Sequence, residues 1–232
     1  MSKRQELRQK RQRQERMQRM MIIVGVVIIA VAIVGWVILA QRPPEGIVQI
    51  TPVPRPQVNF NGTGDPNAPV KIIEYGDFQC PRCKDFWQST EAQIVDNYVK
   101  TGKVYFEYRS MGLFIGPESS RSAEAAYCAG DQGKFWEMHD TIYANQGAEN
   151  SGALDDAHLK AFAKNLGLDA TKFNDCLGGK YSGKVSQDRT DGTTAGINAT
   201  PSFLINGKLL EGAQPFATFQ QEIDAALAAA GQ

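Results

Sequence analysis

Val70-Lys71-Ile72-Ile73-Glu74-Tyr75-Gly76-Asp77-Phe78-Gln79-Cys80-Pro81-Arg82-Cys83 is the stretch whose reading decides the fold. An apolar, strand-like run from Val70 to Tyr75 leads directly into a Cys-x-x-Cys pair, and beyond it apolar residues recur at helical spacing. A cysteine at the first turn of a helix faces unpaired backbone N–H groups and the positive end of the macrodipole, both of which favour thiolate over thiol. Cys80 is therefore the expected nucleophile. Cys83, one turn deeper, is placed to attack a mixed disulfide on Cys80 and expel the bound partner. Pro81 suits the first helical position, and the Arg82 cation beside Cys80 is expected to tune the thiolate by Coulomb attraction. The same spacing serves as half of a structural zinc site, but the other candidates, Cys128, Cys176, His139 and His158, contain no second close pair. No metal and no cofactor is expected.

Working outward, Val104 to Tyr108 reads as a second strand, and the helix between the strands carries Trp87, Ile94 and Tyr98 near one face before Thr101 and Gly102 close it. From about 117 to 196 the periodicity turns helical, through Ala125, Cys128, Phe135, His139, Ile142, Leu159, Phe162, Phe173 and Cys176. A strand at Ser202 to Ile205, an Asn206-Gly207 turn and Lys208 to Leu210 form a hairpin signature. A final helix buries Phe216, Phe219, Ile223 and Leu227. The class is α/β, and strand, helix, strand, helical insertion, hairpin, helix is the order of a thioredoxin-like fold with a helical insertion. His139 and His158 read as core-edge or surface histidines.

At the other end, residues 20 to 40 form an apolar run without a charge, long enough as a helix to span roughly 30 Å of hydrocarbon. Residues 1 to 19 are a basic tail, so the positive-inside rule places the N-terminus in the cytoplasm and the rest outside a cell membrane crossed once. A cleaved signal peptide would have a shorter apolar core, which favours an uncleaved anchor. The chain is neutral overall, with 25 basic and 25 acidic residues, yet residues 1 to 42 hold nine of the basic and two of the acidic ones. The acidic remainder argues against a nucleic-acid partner. Residues 41 to 62, with Pro43, Pro44, Pro52, Pro54 and Pro56, read as an extended linker, and 63 to 232 as one domain. Outside the cytoplasm disulfides are permitted, and pairing Cys128 with Cys176 is the simplest arithmetic for a structural crosslink; a second redox couple or two separate thiols remain open.

Tyr75 to Cys83 resembles the active-site stretch of DsbA-like thiol:disulfide oxidoreductases, particularly the membrane-anchored, BdbD-like branch. Gly64 to Pro69 looks like that family's lead-in, Ala126 to Ala129 with Gly133 to Trp136 resembles its helical insertion, and Thr200 to Phe203 its proline loop. The resemblance implies a cis peptide bond at Pro201 beside the nucleophile, a Thr200 backbone free to pair with an extended substrate, and a buried acid at Glu74 that relays a proton to or from Cys83. Where DsbA-like oxidases often carry histidine, this chain has Arg82. The implied activity is donation of the Cys80–Cys83 disulfide to newly exported or unfolded proteins. Reoxidation would come from a quinone-linked membrane partner of the DsbB or vitamin K epoxide reductase type. The alternatives are a disulfide reductase or isomerase, and a membrane-tethered holdase without redox turnover.

Overall fold

The computed structural model describes residues 3–40, 44 and 46–231, and separates into two units, Met1–Pro43 and Pro44–Gln232. In the first, α1 (Lys3–Ala40) is a continuous helix whose stretch Arg16–Val37 is long and apolar enough to cross a membrane. Side chains such as Ile22, Ile28, Val31 and Trp36 are exposed along it. Such a continuous apolar surface is unfavourable in water and would be satisfied by hydrocarbon.

The second unit is built on a five-stranded sheet. Its strands are β1 (Gly62–Thr63), β2 (Val70–Gly76), β3 (Val104–Ser110), β4 (Ser202–Ile205) and β5 (Lys208–Glu211), in the order β1-β3-β2-β4-β5. β2 and β3 run parallel, and β4 lies antiparallel on the other side of β2. The parallel pair is connected by a helix that starts as α2 (Pro81–Phe86), continues through a π-helical turn at Trp87–Glu91 and α3 (Ala92–Ile94), and ends in a second π turn at Val95–Val99. A π turn widens the helix by one residue, which changes the face that later residues present. Thr90 and Glu91 are buried there in addition to Ile94 and Tyr98, whereas Trp87 is only partly covered.

Five helices follow β3: α4 (Pro117–Gly130), α5 (Phe135–Ala144), α6 (Asp156–Asn165), α7 (Ala170–Leu177) and α8 (Ser182–Thr194). They make the inserted block expected between about 117 and 196. Cys128 on α4 and Cys176 on α7 are joined, with Cα atoms 5.7 Å apart. The chain returns through β4, turns at Asn206 and Gly207, whose φ values of 47° and 85° are those of a type I′ hairpin, and closes with α9 (Phe216–Ala229). Phe86, Phe203 and Phe219 lock α2, β4 and α9 together, with ring centroids 4.5 to 5.3 Å apart.

One sequence expectation needs correction. The proline-rich segment described from Gly46 to Asn61 is extended, as its composition implies, but it does not stand clear of the domain. Asn145 brackets Val48 through both its backbone groups, Val53 N–H donates to Asp140, and the Arg55 side chain is 1% exposed. Composition identifies a chain that forms neither helix nor sheet; it does not show whether that chain finds a groove. Beyond the segment, Gly64 adopts φ +96°, and a Cβ there would meet the Val104 carbonyl oxygen at 2.6 Å, so only glycine fits the approach of β1 to β3.

The Cys128–Cys176 crosslink spans a sequence separation of 48, for which chain entropy gives about 4 kcal/mol. Replacing both cysteines by alanine is expected to lower unfolding stability by about 2–4 kcal/mol in a denaturant titration. A loss under about 1 kcal/mol would show that the crosslink does not stabilise the domain.

Candidate active site

β2 ends at Gly76 and α2 begins at Pro81, so the intervening loop carries Cys80 to the helix N-cap, in extended conformation at φ −72° and ψ 120°. The Cys83 and Lys84 N–H groups both donate to the Cys80 carbonyl oxygen, at 3.1 and 3.2 Å. That position leaves first-turn N–H groups facing the Cys80 sulfur. From the far side, the pairing of Tyr75 with Ser202 brings the start of β4 alongside the end of β2, and with it the Thr200–Pro201 bond, which is cis. The Cys80 thiol donates to the Thr200 carbonyl oxygen at 3.3 Å.

The two sulfurs differ sharply. The Cys80 thiol is pulled down to about 6 from its ordinary 9.0. The Cys83 thiol contributes most by donating to the thiolate; burial opposes this, and the Thr200 side chain and the Cys83 and Arg82 backbone N–H groups add to it. Cys83 is fully buried, which pushes its thiol well above the ordinary range; its sulfur accepts one N–H, from Asp77 at 3.4 Å. Arg82 acts differently from the expectation. Its guanidinium is exposed and paired with Asp85 at 3.0 Å, and what Arg82 offers the Cys80 sulfur is a backbone N–H. Pro81 is also exposed.

The helical insertion holds the loop. Gln146, just past α5, donates to the carbonyl oxygens of Phe78 and Cys80 at 2.7 and 3.0 Å, while Gln79 is tied to Ser119 and Asn150. Asp77 is fully buried, and burial raises its carboxyl to about 6 despite N–H groups donated by Gln79 and Ile115.

Behind the sulfurs, Glu74 is 1% exposed. Burial lifts its carboxyl well above the carboxylate range, the Glu91 charge lifts it further, and the Arg55 charge opposes both. Glu91, His139, Asp140 and Arg55 complete a buried polar cluster that sequence reading missed, apart from naming His139 as a core-edge residue. Glu74, Glu91 and His139 are donor types a metal accepts, but the Arg55 guanidinium already sits on Glu91, and no metal is assigned to them. The other histidine, His158, stays at the surface of α6 beside its N-cap Asp155. Gln146 and Arg55 carry no motif, and Asp77, inside the quoted stretch, had only its apolar setting to hint at burial.

Comparison with known proteins fits this geometry. The thioredoxin family model matches residues 61–225. The probable disulfide bond formation protein D of Bacillus cereus is 30% identical over 151 residues, covering 63% of this chain and 69% of that protein. The oxidised crystal structure of BdbD from Bacillus subtilis superposes with a TM-score of 0.67 at 23% identity, over 72% of this chain and 92% of that one. The chain belongs to the DsbA-like thioredoxin family. A second DsbA-like structure, Wolbachia pipientis α-DsbA1, gives a TM-score of 0.66 at 24% identity, over 76% and 94% of the two chains. The Na(+)/H(+) antiporter NhaA 1 of Salinispora arenicola is 31% identical over 186 residues, 79% of this chain but 27% of the antiporter. The chain thus spans about a quarter of the length of the antiporters it matches.

In this DsbA-like site, absorbance at 240 nm is expected to report a thiolate forming near pH 6 in the dithiol form, absent from Cys80→Ser. Because the folded value lies below the unfolded one, the dithiol form gains stability over Cys80→Ser as pH rises from about 6 to 9.0 and loses that gain below about 6. A titration midpoint near 9.0 would contradict the site geometry.

Proposed function

We propose that the protein is a membrane-anchored, extracytoplasmic thiol:disulfide oxidoreductase that donates its Cys80–Cys83 disulfide to exported proteins. The observation that carries this reading is the asymmetry of the pair: Cys80 faces the Thr200–Pro201 loop with its thiolate stabilised, while Cys83 is sealed behind it. A substrate thiolate attacks the Cys80 sulfur, the Cys80–Cys83 bond breaks, and Cys83 leaves with the electron pair. Glu74, protonated and buried behind it, supplies the proton. A second substrate thiolate then attacks the substrate sulfur of the mixed disulfide, and Cys80 leaves as a thiolate. The low Cys80 value makes it a good leaving group, which drives the exchange towards oxidised substrate. Two electrons pass to the protein in each cycle.

Those electrons are handed to a quinone-linked membrane reoxidase of the DsbB or vitamin K epoxide reductase type, a partner supported by family resemblance. Thr200, partly exposed beside Cys80, offers its backbone to an extended substrate chain. The charge asymmetry around α1 supports a cytoplasmic N-terminus with the redox domain outside.

The deciding measurement is the reduction potential of the Cys80–Cys83 pair in glutathione buffers. The full chain in detergent is the right sample, because cutting at residue 57 would remove Arg55 from the core. A value towards about −120 mV supports donation; about −270 mV would make the protein a reductase. Cys83→Ser is expected to accumulate a mixed disulfide on Cys80, and Cys80→Ser to lose oxidase activity altogether.

A further inference from the structure

The proline-rich segment places one side chain in the interior of the domain. Arg55 lies over Trp136, its guanidinium carbon 4.4 Å from the ring centroid. One amino group donates to Glu91 Oε1 at 2.5 Å and to Asp140 Oδ1 at 2.8 Å; the other donates to Asp140 Oδ2 at 2.9 Å. Asp140 also accepts from the Val53 N–H, the Trp87 indole and His139 Nδ1. Burial pushes the Asp140 carboxyl up, but hydrogen bonds from His139 and Arg55 outweigh it and hold it well below the carboxylate range. Arg55 and Asp140 therefore form a fixed ion pair.

Glu91 is a different case. With Oε1 held by Arg55, its Oε2 has no hydrogen-bond partner, and neither has Glu74 Oε2 or His139 Nε2. Ligand atoms of these three residues lie within 4.8 Å of one another. Two carboxyls at that distance, both 1% exposed, cannot readily both ionise without a counter-charge. Arg55 is the permanent cation, among the described residues, that touches this cluster; His139, 4.0 Å from Glu91 Oε2, is charged only when protonated. The other titratable groups around Glu74 are Tyr108 on β3, Tyr143 with His139 and Asp140 on α5, Cys80 at the N-cap of α2 and Cys83 on it.

We propose that Arg55, reaching in from outside the thioredoxin fold, positions Glu91 against Glu74 and thereby governs proton transfer between Glu74 and Cys83. The inference rests on the oxidoreductase reading and adds a positioning residue to it. Arg55 precedes residues 61–225, the part that matches the thioredoxin family, so the device belongs to the segment before the domain. Its sign follows from charge. When Glu74 gives its proton to the departing Cys83, a carboxylate forms beside Glu91, and the guanidinium makes that state tolerable. Without Arg55, Glu74 holds its proton to higher pH. Without the Glu91 charge, it releases the proton at lower pH.

The test isolates the step with the full chain carrying glutathione on Cys80. Cys83 attacks the Cys80 sulfur, the Cys80–Cys83 bond forms, glutathione leaves as a thiolate, and Glu74 takes the Cys83 proton. Release is followed against pH. Arg55→Met is expected to move the midpoint of the profile up by roughly 1–3 units and Glu91→Gln to move it down, with Arg55→Lys close to wild type. Adding Arg55→Met to Glu74→Gln is expected to change nothing. A purely structural role would move Arg55→Met and Glu91→Gln in the same direction, or shift the profile equally in the Glu74→Gln background, and either result overturns the proposal. If Arg55→Met does not fold, the Glu91→Gln shift and its loss in Glu74→Gln decide the question. Release with unchanged profiles sinks this inference alone; no release from wild type at any pH sinks the oxidoreductase reading with it.

Discussion

A difference in burial between two sulfurs three residues apart is the constraint on which the site depends. Cys80 sits where a helix begins and its sulfur collects donors; Cys83 is one turn further, fully buried, and its sulfur accepts a single N–H. Nothing about the two residues is chemically different. The difference comes from the sheet, because β2 must end at Gly76 for the loop to lift Cys80 to the N-cap while Cys83 drops beneath it. The same termination lines up β4, through Tyr75 and Ser202, so the Thr200–Pro201 loop faces the sulfur that is available.

The helical insertion takes part in this arrangement. Gln146, Asn150 and Ser119 hold the loop by its carbonyls and by Gln79, and Phe78 packs between Tyr108 and Tyr143 at ring distances of 5.0 and 4.9 Å. A Cys-x-x-Cys loop fixed from both sides keeps the Cys80 sulfur in reach of its donors, and the low thiolate value depends on that reach. The Cys128–Cys176 bond ties α4 to α7 within the block that supplies these contacts.

Much of this was legible in the sequence, for identifiable reasons. Strands β2 to β5 announce themselves by short apolar runs and an Asn-Gly turn, and Cys80, Cys83 and Pro201 by motif. Glu74 was legible as a face assignment, since alternation places it with Val70 and Ile72. What failed to show had no local signal. The π-helical turn that carries Glu91 inward breaks the periodicity on which a helical face is read, and Arg55 lies in a segment whose composition describes solvated chain. Arg82 failed in the opposite way: its position suggested a Coulomb role, but a long exposed side chain follows its nearest carboxylate, here Asp85.

The buried cluster is costly by the ordinary rules, because several ionisable groups are removed from water and some of their atoms stay unpaired. For stability alone, apolar residues of similar size would serve as well or better. A cost retained directly behind the buried sulfur is therefore better explained by chemistry than by packing. In the proposed reaction the leaving thiol needs a proton that solvent cannot deliver to a fully buried atom, so in that reaction the proton is stored in the interior, among neighbours that hold it neither too tightly nor too loosely. Glu91 tightens that hold and Arg55 loosens it. On the proposal made for Arg55, the second of these adjustments is made by the segment that precedes residues 61–225.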